Sequence, residues 1–338
     1  MSNVNELAKI IRSWPAESGQ AFGEKIKAVI SRQPDLPAEV NPLDLMALAR
    51  LTAAEARPFT CAIINVKSGR CGEDCVFCAQ SAHYNTGLAD YPMLSLEAVL
   101  SRAERAAEWG CRYLGLVASG ARLNADDFHR LMKMAETLVA RFDLKLCASV
   151  GALDPDRAAA LKSAGFTSCH HNLEAGPGFF SRLCTTHSLD SRIETVKAAG
   201  RAGLRVCSGG LFGLGESWTD RLELAELLNS LEVDSIPINF LMPIAGTPLG
   251  GRRPLPAAEA LRLIALMRLI NPNRDIVICG GREAALGPLK NMCFSAGANG
   301  LMIGDYLTAK GSAPAGDLAE LSALEMMKGG EAIKPVLG

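Results

Sequence analysis

The sequence predicts a (β/α)₈ barrel, because eight short apolar runs alternate with stretches of helical periodicity after residue 55. Short apolar runs that are bounded by glycine or polar residues are typical of buried parallel strands. The runs cover residues 61–66, 113–119, 144–150, 167–173, 205–212, 235–242, 275–281 and 300–306. A length of 338 residues suits one undivided barrel. The same alternation also allows a doubly wound open sheet, which is the alternative fold.

The stretches between these runs predict the helices. Residues 95–110 place Leu96, Val99 and Leu100 on one face and end at Gly110, a residue that tolerates the left-handed conformation after a helix. Similar patterns occur at 154–165, 188–203, 217–231 and 256–270. We therefore expect three regions, namely an N-terminal helical extension over 1–55, the barrel over 56–310 and a C-terminal tail over 311–338.

Composition and charge exclude several classes of function. The chain has 35 basic and 36 acidic residues and a formal net charge of −1, so nothing indicates a surface for nucleic acids or membranes. No signal peptide and no membrane-spanning run is evident, which predicts a cytoplasmic protein. Eleven cysteines in such a protein favour metal binding or redox chemistry over a disulfide framework.

Three closely spaced cysteines follow the first predicted strand. Cys71, Cys75 and Cys78 have the spacing C-x₃-C-x₂-C, which allows three thiolates to converge on one polynuclear iron–sulfur centre. Three ligands leave one iron of a four-iron cubane open, as a catalytic cluster requires. A zinc site with His83 as the fourth ligand is the alternative.

This loop, with Phe77 as its aromatic residue, resembles the signature of the radical S-adenosylmethionine (SAM) superfamily. The resemblance implies a [4Fe–4S] cluster held by Cys71, Cys75 and Cys78. It also implies that SAM binds the open iron through its amino and carboxylate groups.

Further segments resemble the biotin synthase family within that superfamily, from about residue 55 to about residue 310. Each is weakly specific alone, but their order along the chain is highly specific. They are Asn-Val-Lys-Ser-Gly-Arg at 65–70, Gln-Ser-Ala-His-Tyr-Asn-Thr-Gly at 80–87, His-Asn-Leu-Glu at 171–174, Thr-Thr-His at 185–187, Val-Cys-Ser-Gly-Gly-Leu-Phe-Gly-Leu-Gly-Glu at 206–216, Pro-Ile-Asn at 237–239, Gly-Thr-Pro-Leu at 246–249, Gly-Arg-Glu at 281–283, Met-Cys-Phe at 292–294 and Ala-Gly-Ala-Asn at 296–299.

The resemblance and the chemistry of the side chains suggest roles for residues near strand ends four to six. By resemblance, Glu174 binds the SAM ribose and Asn172 lies near the substrate; two residues apart on an extended strand, they share a face. Asn239 offers a donor and an acceptor to a cyclic urea such as the ureido ring of dethiobiotin. His170 replaces a family asparagine near the substrate.

Other residues offer contacts to SAM or to anionic groups. His187 and Arg192 are candidate donors to the SAM carboxylate. Gly213 and Gly215 permit a close approach of the backbone to the adenosyl part. Lys67 lies beside the cysteine loop and can serve anionic groups.

The chain departs from the family at the second cluster. Familiar biotin synthases hold a [2Fe–2S] cluster with three cysteines and an arginine; Cys147 and Cys207 are present here, but Leu114 and Val277 stand at the other two positions. Cys279 lies on the same strand face as Val277.

Cys61 opens strand one, where the family usually has serine. Cys61, Cys147, Cys207 and Cys279 therefore predict a four-iron auxiliary cluster, or a [4Fe–5S] form with a donatable sulfide, in preference to [2Fe–2S]. This set of ligands resembles that of a variant class of biotin synthases in anaerobes, which implies a [4Fe–5S] auxiliary cluster. The alternative is that Cys61 and Cys279 are buried fillers; Cys111, Cys169, Cys184 and Cys293 are interpreted as structural.

The resemblance implies radical-mediated sulfur insertion into dethiobiotin to form biotin, with an external reductant protein of flavodoxin or ferredoxin type and a homodimeric state. Three alternatives remain: another radical SAM enzyme, such as a hydrogenase-maturation protein or a methylornithine synthase; an electron-transfer iron–sulfur protein; and a zinc-stabilised binding module.

Overall fold

The computed structural model describes residues 20–52, 58–307, 311 and 313–327. Its strands pair in parallel in the order β5-β4-β3-β2-β1-β9-β8-β7-β6, and β5 also pairs with β7, so that the sheet closes on itself. The closed barrel is confirmed, and the open-sheet alternative is wrong. The strands are β1 Phe59–Lys67, β2 Tyr113–Ala118, β3 Lys145–Ser149, β4 Phe166–His170, β5 Arg205–Cys207, β6 Gly210–Phe212, β7 Ser235–Phe240, β8 Asp275–Ile278 and β9 Gly300–Met302.

Strands β5 and β6 are two halves of the fifth barrel strand, which the sequence presents as a single run. The chain turns aside at Ser208 and Gly209, where Ser208 N donates to Ser235 O at 2.9 Å. A Cβ on Gly209 would lie 2.0 Å from Pro237 O, so only glycine fits this approach to β7. The break directs the end of the strand towards the loop after β4.

Helices alternate with the strands and cover the outside of the barrel. The five stretches predicted from periodicity are all helical. The helix Ala125–Arg141 was not predicted, although its signals are local: Asn124 caps it by accepting from Asp127 N, and Leu131, Met134 and Leu138 form one buried face. The helices are α1 Gln20–Arg32, α2 Leu36–Glu39, α3 Pro42–Thr52, α4 Leu96–Glu108, α5 Ala125–Arg141, α6 Pro155–Ser163, α7 Pro177–Phe180, α8 Leu189–Arg201, α9 Trp218–Ser230, α10 Ala257–Ile270, α11 Arg282–Leu286, α12 Met292–Ser295 and α13 Pro314–Met327.

Side chains alternate along each strand between two environments. Ala62, Ile64 and Leu116 face outwards and form the main core with the helices. Their neighbours Cys61 and Ile63 face the interior of the barrel and line a cavity there. The outer layer therefore stabilises the fold, whereas the interior layer is left for function. No helix in the described part of the chain combines the length and the apolar character needed to cross a bilayer.

The described N-terminal helices pack on the side of the barrel. Helix α3 lies against α10, and Arg262 on α10 donates to Val40 O at 3.0 Å. These helices fall within the predicted extension over 1–55, but its boundary lies outside the described residues, as do residues 1–19 and the predicted end of the barrel at 310.

Helix α13 lies in the region predicted as a C-terminal tail and is anchored to the barrel by a buried ion pair. Asp317 Oδ1 lies 2.7 Å from an Arg282 guanidinium nitrogen, and the two side chains are 0% and 1% exposed. Arg282 follows β8, and it also binds Glu283, which accepts a hydrogen bond from Tyr306 at 2.8 Å. The helix is thus connected to a residue that lines the cavity.

Replacing Asp317 by alanine is expected to lower the free energy of unfolding by about 3 kcal/mol, because the buried Arg282 loses its buried carboxylate partner and keeps the more exposed Glu283. Denaturant unfolding of the purified protein measures this change. Glu194→Ala, which removes an exposed partner of Lys197 on α8, is the control and should change stability by less than about 1 kcal/mol. Equal effects of the two substitutions would contradict the anchoring role of Asp317.

Candidate active site

The three-cysteine loop begins four residues after β1 ends and folds back on itself. Cys71 N donates to Gln80 O at 3.0 Å, and Ala82 N donates to Cys71 O at 2.7 Å, so Cys71 returns beside the end of the loop. Burial raises the pKa of Cys78, and the nearby Cys71 raises it further. Burial likewise raises the pKa of Cys75, with contributions from Cys184 and Cys78. The three thiols therefore share one partly buried neighbourhood at the carboxyl end of the barrel.

Two carboxylates of the loop are held by the segment 184–187, which follows α7. Asp74 accepts hydrogen bonds from Thr185 N at 2.8 Å, Cys184 Sγ at 3.0 Å and Thr186 N at 3.2 Å. The Cys184 and Thr185 bonds place the pKa of Asp74 well below its usual range. Asp74 and Glu73 were not predicted as site residues, although both lie inside the cysteine motif.

Removing the Asp74 carboxylate is expected to loosen the cysteine loop and to lower the iron–sulfur content after anaerobic reconstitution. In Asp74→Ala, the amides of Thr185 and Thr186 lose their acceptor, whereas the unfolding temperature of the cluster-free protein should change little because the carboxylate is near the surface. Iron analysis and thermal unfolding measure the two effects. Asp90→Ala, which removes the exposed partner of Arg70 beside the loop, should keep full iron content; if both variants keep it, Asp74 does not position the loop.

His187 and Arg192 form a chain of contacts from the loop to strand four. His187 Nδ1 lies 2.6 Å from Glu73 Oε2, and Arg192 Nε donates to His187 Nε2 at 2.9 Å. Arg192 also donates to Asn172 O at 2.8 Å and lies 3.9 Å from Glu174 Oε1. Both imidazole nitrogens therefore have protein partners, so a SAM carboxylate would have to compete with Glu73 for His187.

The end of strand four lines the cavity with His170, Asn172 and Glu174. Asn172 Oδ1 accepts from Gly209 N at 3.1 Å, and Asn172 Nδ2 lies 3.4 Å from Glu174 Oε2. Glu174 has a φ of +70°, which turns the chain into the loop, and burial raises the pKa of its carboxyl group. His170 Nδ1 lies 3.4 Å from Cys207 Sγ, and burial, with Arg192, lowers the pKa of His170 to about 4.

The glycine loop after β6 encloses a buried carboxylate that the sequence analysis did not single out. Gly213, with φ +91°, and Gly215, with φ +105°, allow their amides to converge with that of Leu214 on Glu216, at 2.7–3.0 Å. Arg221 Nε also donates to Glu216 at 2.9 Å. The glycines thus permit a tight turn, but Glu216 rather than a ligand accepts their amide hydrogens.

Two further predicted residues have partners within the protein. Asn239 lines the cavity, accepts from Gly280 N at 3.2 Å and lies 3.4 Å from Gly210 O through Nδ2. Lys67 Nζ lies 2.7 Å from Asp127 Oδ2 on α5, so its charge is already paired. Phe77 also lines the cavity and packs against the cluster of Phe179 and Leu183.

The barrel interior contains a cavity of about 370 Å³, and all four cysteines predicted for the auxiliary cluster line it. Burial raises the pKa of Cys61 and Cys207 well above the ordinary value, with mutual repulsion from Cys279 and Cys147 in the case of Cys61. Burial raises the pKa of Cys147 to about 11. Cys78 lines the same cavity. The cysteine loop, through Cys78, and the four auxiliary cysteines therefore border one continuous space.

One expectation about the second strand is wrong. Leu114 is fully buried on the outer face, in the core between strand and helices, so it does not stand at the auxiliary site. Gly115 pairs in register with Cys147 and lines the cavity instead. Val277 does line the cavity, as does Cys279 two residues later.

The four cysteines that were interpreted as structural do not line the cavity, but one of them, Cys184, lies close to the cysteine loop. Cys111, Cys169 and Cys293 are buried in the main core. Cys184 is also buried, but Cys75, Cys184 and His187 offer ligand atoms that lie within 4.8 Å of one another. His83, the proposed zinc ligand, instead contacts Gly72 O at 3.0 Å through Nε2. The arrangement does not support the alternative of a zinc site with His83.

The donor sets fit iron–sulfur clusters of two kinds. Three thiols in a loop at the carboxyl end of a barrel leave one cluster position for a ligand from the cavity. Four further thiols, on β1, β3 and β5 and directly after β8, line the same cavity. Together with the fold, this arrangement defines a radical SAM enzyme. The family model of the Radical SAM superfamily matches residues 65–228.

Comparisons with known proteins identify the family. The Biotin and Thiamin Synthesis associated domain matches residues 237–327. Biotin synthase from Nitratidesulfovibrio vulgaris, strain Miyazaki F, is 50% identical over 311 residues, covering 88% of this chain and 85% of the relative. Biotin synthase from Syntrophus aciditrophicus is 47% identical over 312 residues, covering 92% and 94%. The chain belongs to the biotin synthase family, whose cofactors are a [4Fe–4S] cluster, SAM and an auxiliary iron–sulfur cluster.

Solved structures with lower sequence identity share the fold. Methylornithine synthase has a TM-score of 0.70 at 17% identity, covering 98% of this chain and 94% of that chain. The FeFe-hydrogenase maturase HydG from Carboxydothermus hydrogenoformans has a TM-score of 0.70 at 15% identity, covering 97% and 83%. At these identities the likeness concerns the barrel alone.

Proposed function

We propose that the chain converts dethiobiotin to biotin by radical SAM sulfur insertion and is thus a sulfurtransferase. The observation that carries the proposal is the single cavity bordered by Cys78 of the loop and by Cys61, Cys147, Cys207 and Cys279. A substrate in this space lies between a radical source and a sulfur source. Family membership supports the same reaction.

The proposed cluster ligands are the cysteines of the loop and the four cysteines inside the barrel. Cys71, Cys75 and Cys78 would hold the [4Fe–4S] cluster, and Cys61, Cys147, Cys207 and Cys279 would hold a four-iron auxiliary cluster. When bound, these groups and SAM supply hydrogen abstraction from unactivated carbon and the sulfur atom itself. Burial raises the pKa of all four auxiliary cysteines, which favours neutral thiols, so binding of the cluster would displace four protons.

The protein's own residues would bind and orient the two small molecules. Glu174 and Asn172 face the cavity where the SAM ribose and the substrate would meet, and Asn239 offers its amide to the ureido ring. His170 would contact the substrate from the same wall. Arg192 supports Asn172 and Glu174 from behind, so that their positions are set before ligands bind.

The outer contacts of SAM are proposed for the loops around the cavity. His187 and Arg192 would approach the SAM carboxylate, Phe77 would pack beside the cluster, and Gly213 and Gly215 would admit the adenosyl part. Lys67 would attract anionic groups of the ligands while it remains paired with Asp127.

The proposed setting of the enzyme is a cytoplasmic homodimer that receives electrons from a flavodoxin or ferredoxin. The proposed regions are a helical extension over 1–55, the barrel over 56–310 and a C-terminal segment over 311–338. Size-exclusion chromatography with light scattering tests the homodimer.

An anaerobic assay with dethiobiotin, SAM and a reductant tests the proposed function. We expect biotin, and we expect 5′-deoxyadenosine whose formation depends on dethiobiotin. We also expect about eight irons per reconstituted chain. Formation of 5′-deoxyadenosine without biotin, in protein that carries both clusters, would contradict the proposal. About four irons would contradict the four-iron auxiliary cluster.

A further inference from the structure

The cavity extends below the four auxiliary cysteines to the amino-terminal end of the strands. Arg205 and Asp275, the first residues of β5 and β8, both line it. Their side chains form an ion pair at 3.0 Å and are 41% and 25% exposed to solvent. Arg205 and Asp275 thus contact both the cavity and the solvent.

Only a short distance separates this ion pair from the auxiliary thiols. Arg205 precedes Cys207 by two residues on the same face of β5, which corresponds to about 7 Å along an extended strand. In most barrels, layers of branched side chains fill the interior at this depth. Here Gly115, Ser168 and Ser235 line the wall beside the thiols. One layer of side chains therefore lies between Cys207 and the surface.

Positive charge surrounds the lower end of the cavity. Lys145 Nζ lies 6.0 Å from the ring centroid of Tyr113, and the Arg112 guanidinium lies 5.5 Å from the same ring. Arg205 also lies 4.0 Å from Asp234. Arg112, Lys145 and Arg205 thus lie at the amino-terminal ends of β2, β3 and β5, and Asp234 and Asp275 lie at those of β7 and β8. The excess of positive charge at this end of the barrel favours the approach of a small anion.

The opposite end of the barrel is already committed to the reaction. The cysteine loop and the end of strand four line the cavity there, and the proposed binding places SAM and dethiobiotin between them and the auxiliary thiols. An anion that enters from that end would have to pass both molecules. The amino-terminal end, where Arg205 and Asp275 line the cavity, lies on the other side of the auxiliary thiols from both molecules.

We propose that the Arg205–Asp275 ion pair is a gate through which hydrosulfide reaches the auxiliary cluster. This inference rests on the proposed function, because that reaction removes one sulfide per product formed. Refilling would be a ligand exchange without a change of oxidation state: HS⁻ would supply the sulfide to the cluster that the four thiols would hold, and its proton would leave to solvent. The rate of refilling is therefore governed by how often the ion pair opens.

Isotope exchange into the reconstituted enzyme tests the gate. The holoenzyme is saturated with SAM and dethiobiotin, without reductant, and incubated with ³⁴S-sulfide for increasing times. Free sulfide is then removed, reductant is added, and the isotope ratio of the biotin formed is measured by mass spectrometry. That ratio reports exchange independently of how active each variant is. Label in the acid-labile sulfide of the protein is measured in the same samples.

Arg205→Ala removes the cation of the ion pair, and Asp275→Asn removes the charge of its carboxylate. The test therefore does not depend on one variant. Each should exchange sulfide about five-fold faster than the unmodified chain, the factor equivalent to about 1 kcal/mol. Arg122→Ala is the matched control, because Arg122 forms a partly exposed pair with Asp154 away from the cavity. It should exchange at the unmodified rate.

Each outcome separates the gate from the reaction. Exchange at the unmodified rate in both gate variants, with biotin still formed, overturns the gate and leaves the proposed function intact. Acceleration in Arg122→Ala as well would also overturn it. If no biotin forms, the proposed function fails, and the protein-bound label still decides the gate because the loop cluster contributes equally in all variants.

Discussion

Replacing Cys75 by alanine is expected to abolish formation of both 5′-deoxyadenosine and biotin. The loop would keep two of its three thiols, which leaves one more iron without a protein ligand and prevents stable binding of the cluster. We expect about four of about eight irons to be lost, while the auxiliary cluster remains. Iron analysis, the visible spectrum and chromatographic detection of 5′-deoxyadenosine measure these effects.

Cys184→Ala is the control that makes this experiment specific. Cys184 offers its sulfur within 4.8 Å of Cys75, but it lies outside the three-cysteine motif and donates to Asp74. The variant should retain the loop cluster. Loss of the cluster in Cys184→Ala, together with its retention in Cys71→Ala, would show that the ligands are Cys75, Cys184 and His187 and not the motif.

Replacing Cys207 by alanine is expected to abolish biotin formation while 5′-deoxyadenosine is still produced in the presence of dethiobiotin. The radical source at the loop is left intact, but the sulfur source loses a ligand that lies centrally among the four thiols. The two products should therefore become uncoupled. Their ratio, measured under anaerobic single-turnover conditions, separates this effect from general loss of activity.

Cys169→Ala is the matched control, because Cys169 lies on the neighbouring strand but faces the outer core. It should lose some stability and keep biotin formation. Cys61→Ala and Cys279→Ala then decide whether the auxiliary cluster has four cysteine ligands or only Cys147 and Cys207. Normal iron content in both variants would show that these two cysteines are buried fillers and that the four-iron proposal is wrong.

The eight strand positions and the cysteine loop follow from the sequence, because each depends on neighbours along the chain. Period-two alternation in β1 predicts that Cys61 and Ile63 share a face, and both line the cavity. The spacing of Cys71, Cys75 and Cys78 likewise depends only on a short loop. Helix α5 could have been predicted in the same way, since its cap at Asn124 and its apolar face are local.

Contacts between distant segments required the tertiary structure. Leu114 was expected at the auxiliary site, but the register of β2 with β3 places Gly115 there, and a shift of one residue exchanges the two faces of a strand. The partners of His187 lie 114 residues away at Glu73 and five residues away at Arg192. Glu216 occupies the glycine loop, although the sequence pattern suggests a ligand there.

By itself, the sequence determined the fold class and the family and predicted which thiols are ligands, because periodicity and motif spacing are properties of neighbouring residues. The tertiary structure alone decided that Cys78 and the four auxiliary cysteines border one cavity, that Cys184 lies beside Cys75, and that the Arg205–Asp275 ion pair lines the lower end. The physical reason is closure of the barrel: strand register brings together side chains that are far apart along the chain, and no local pattern encodes that register.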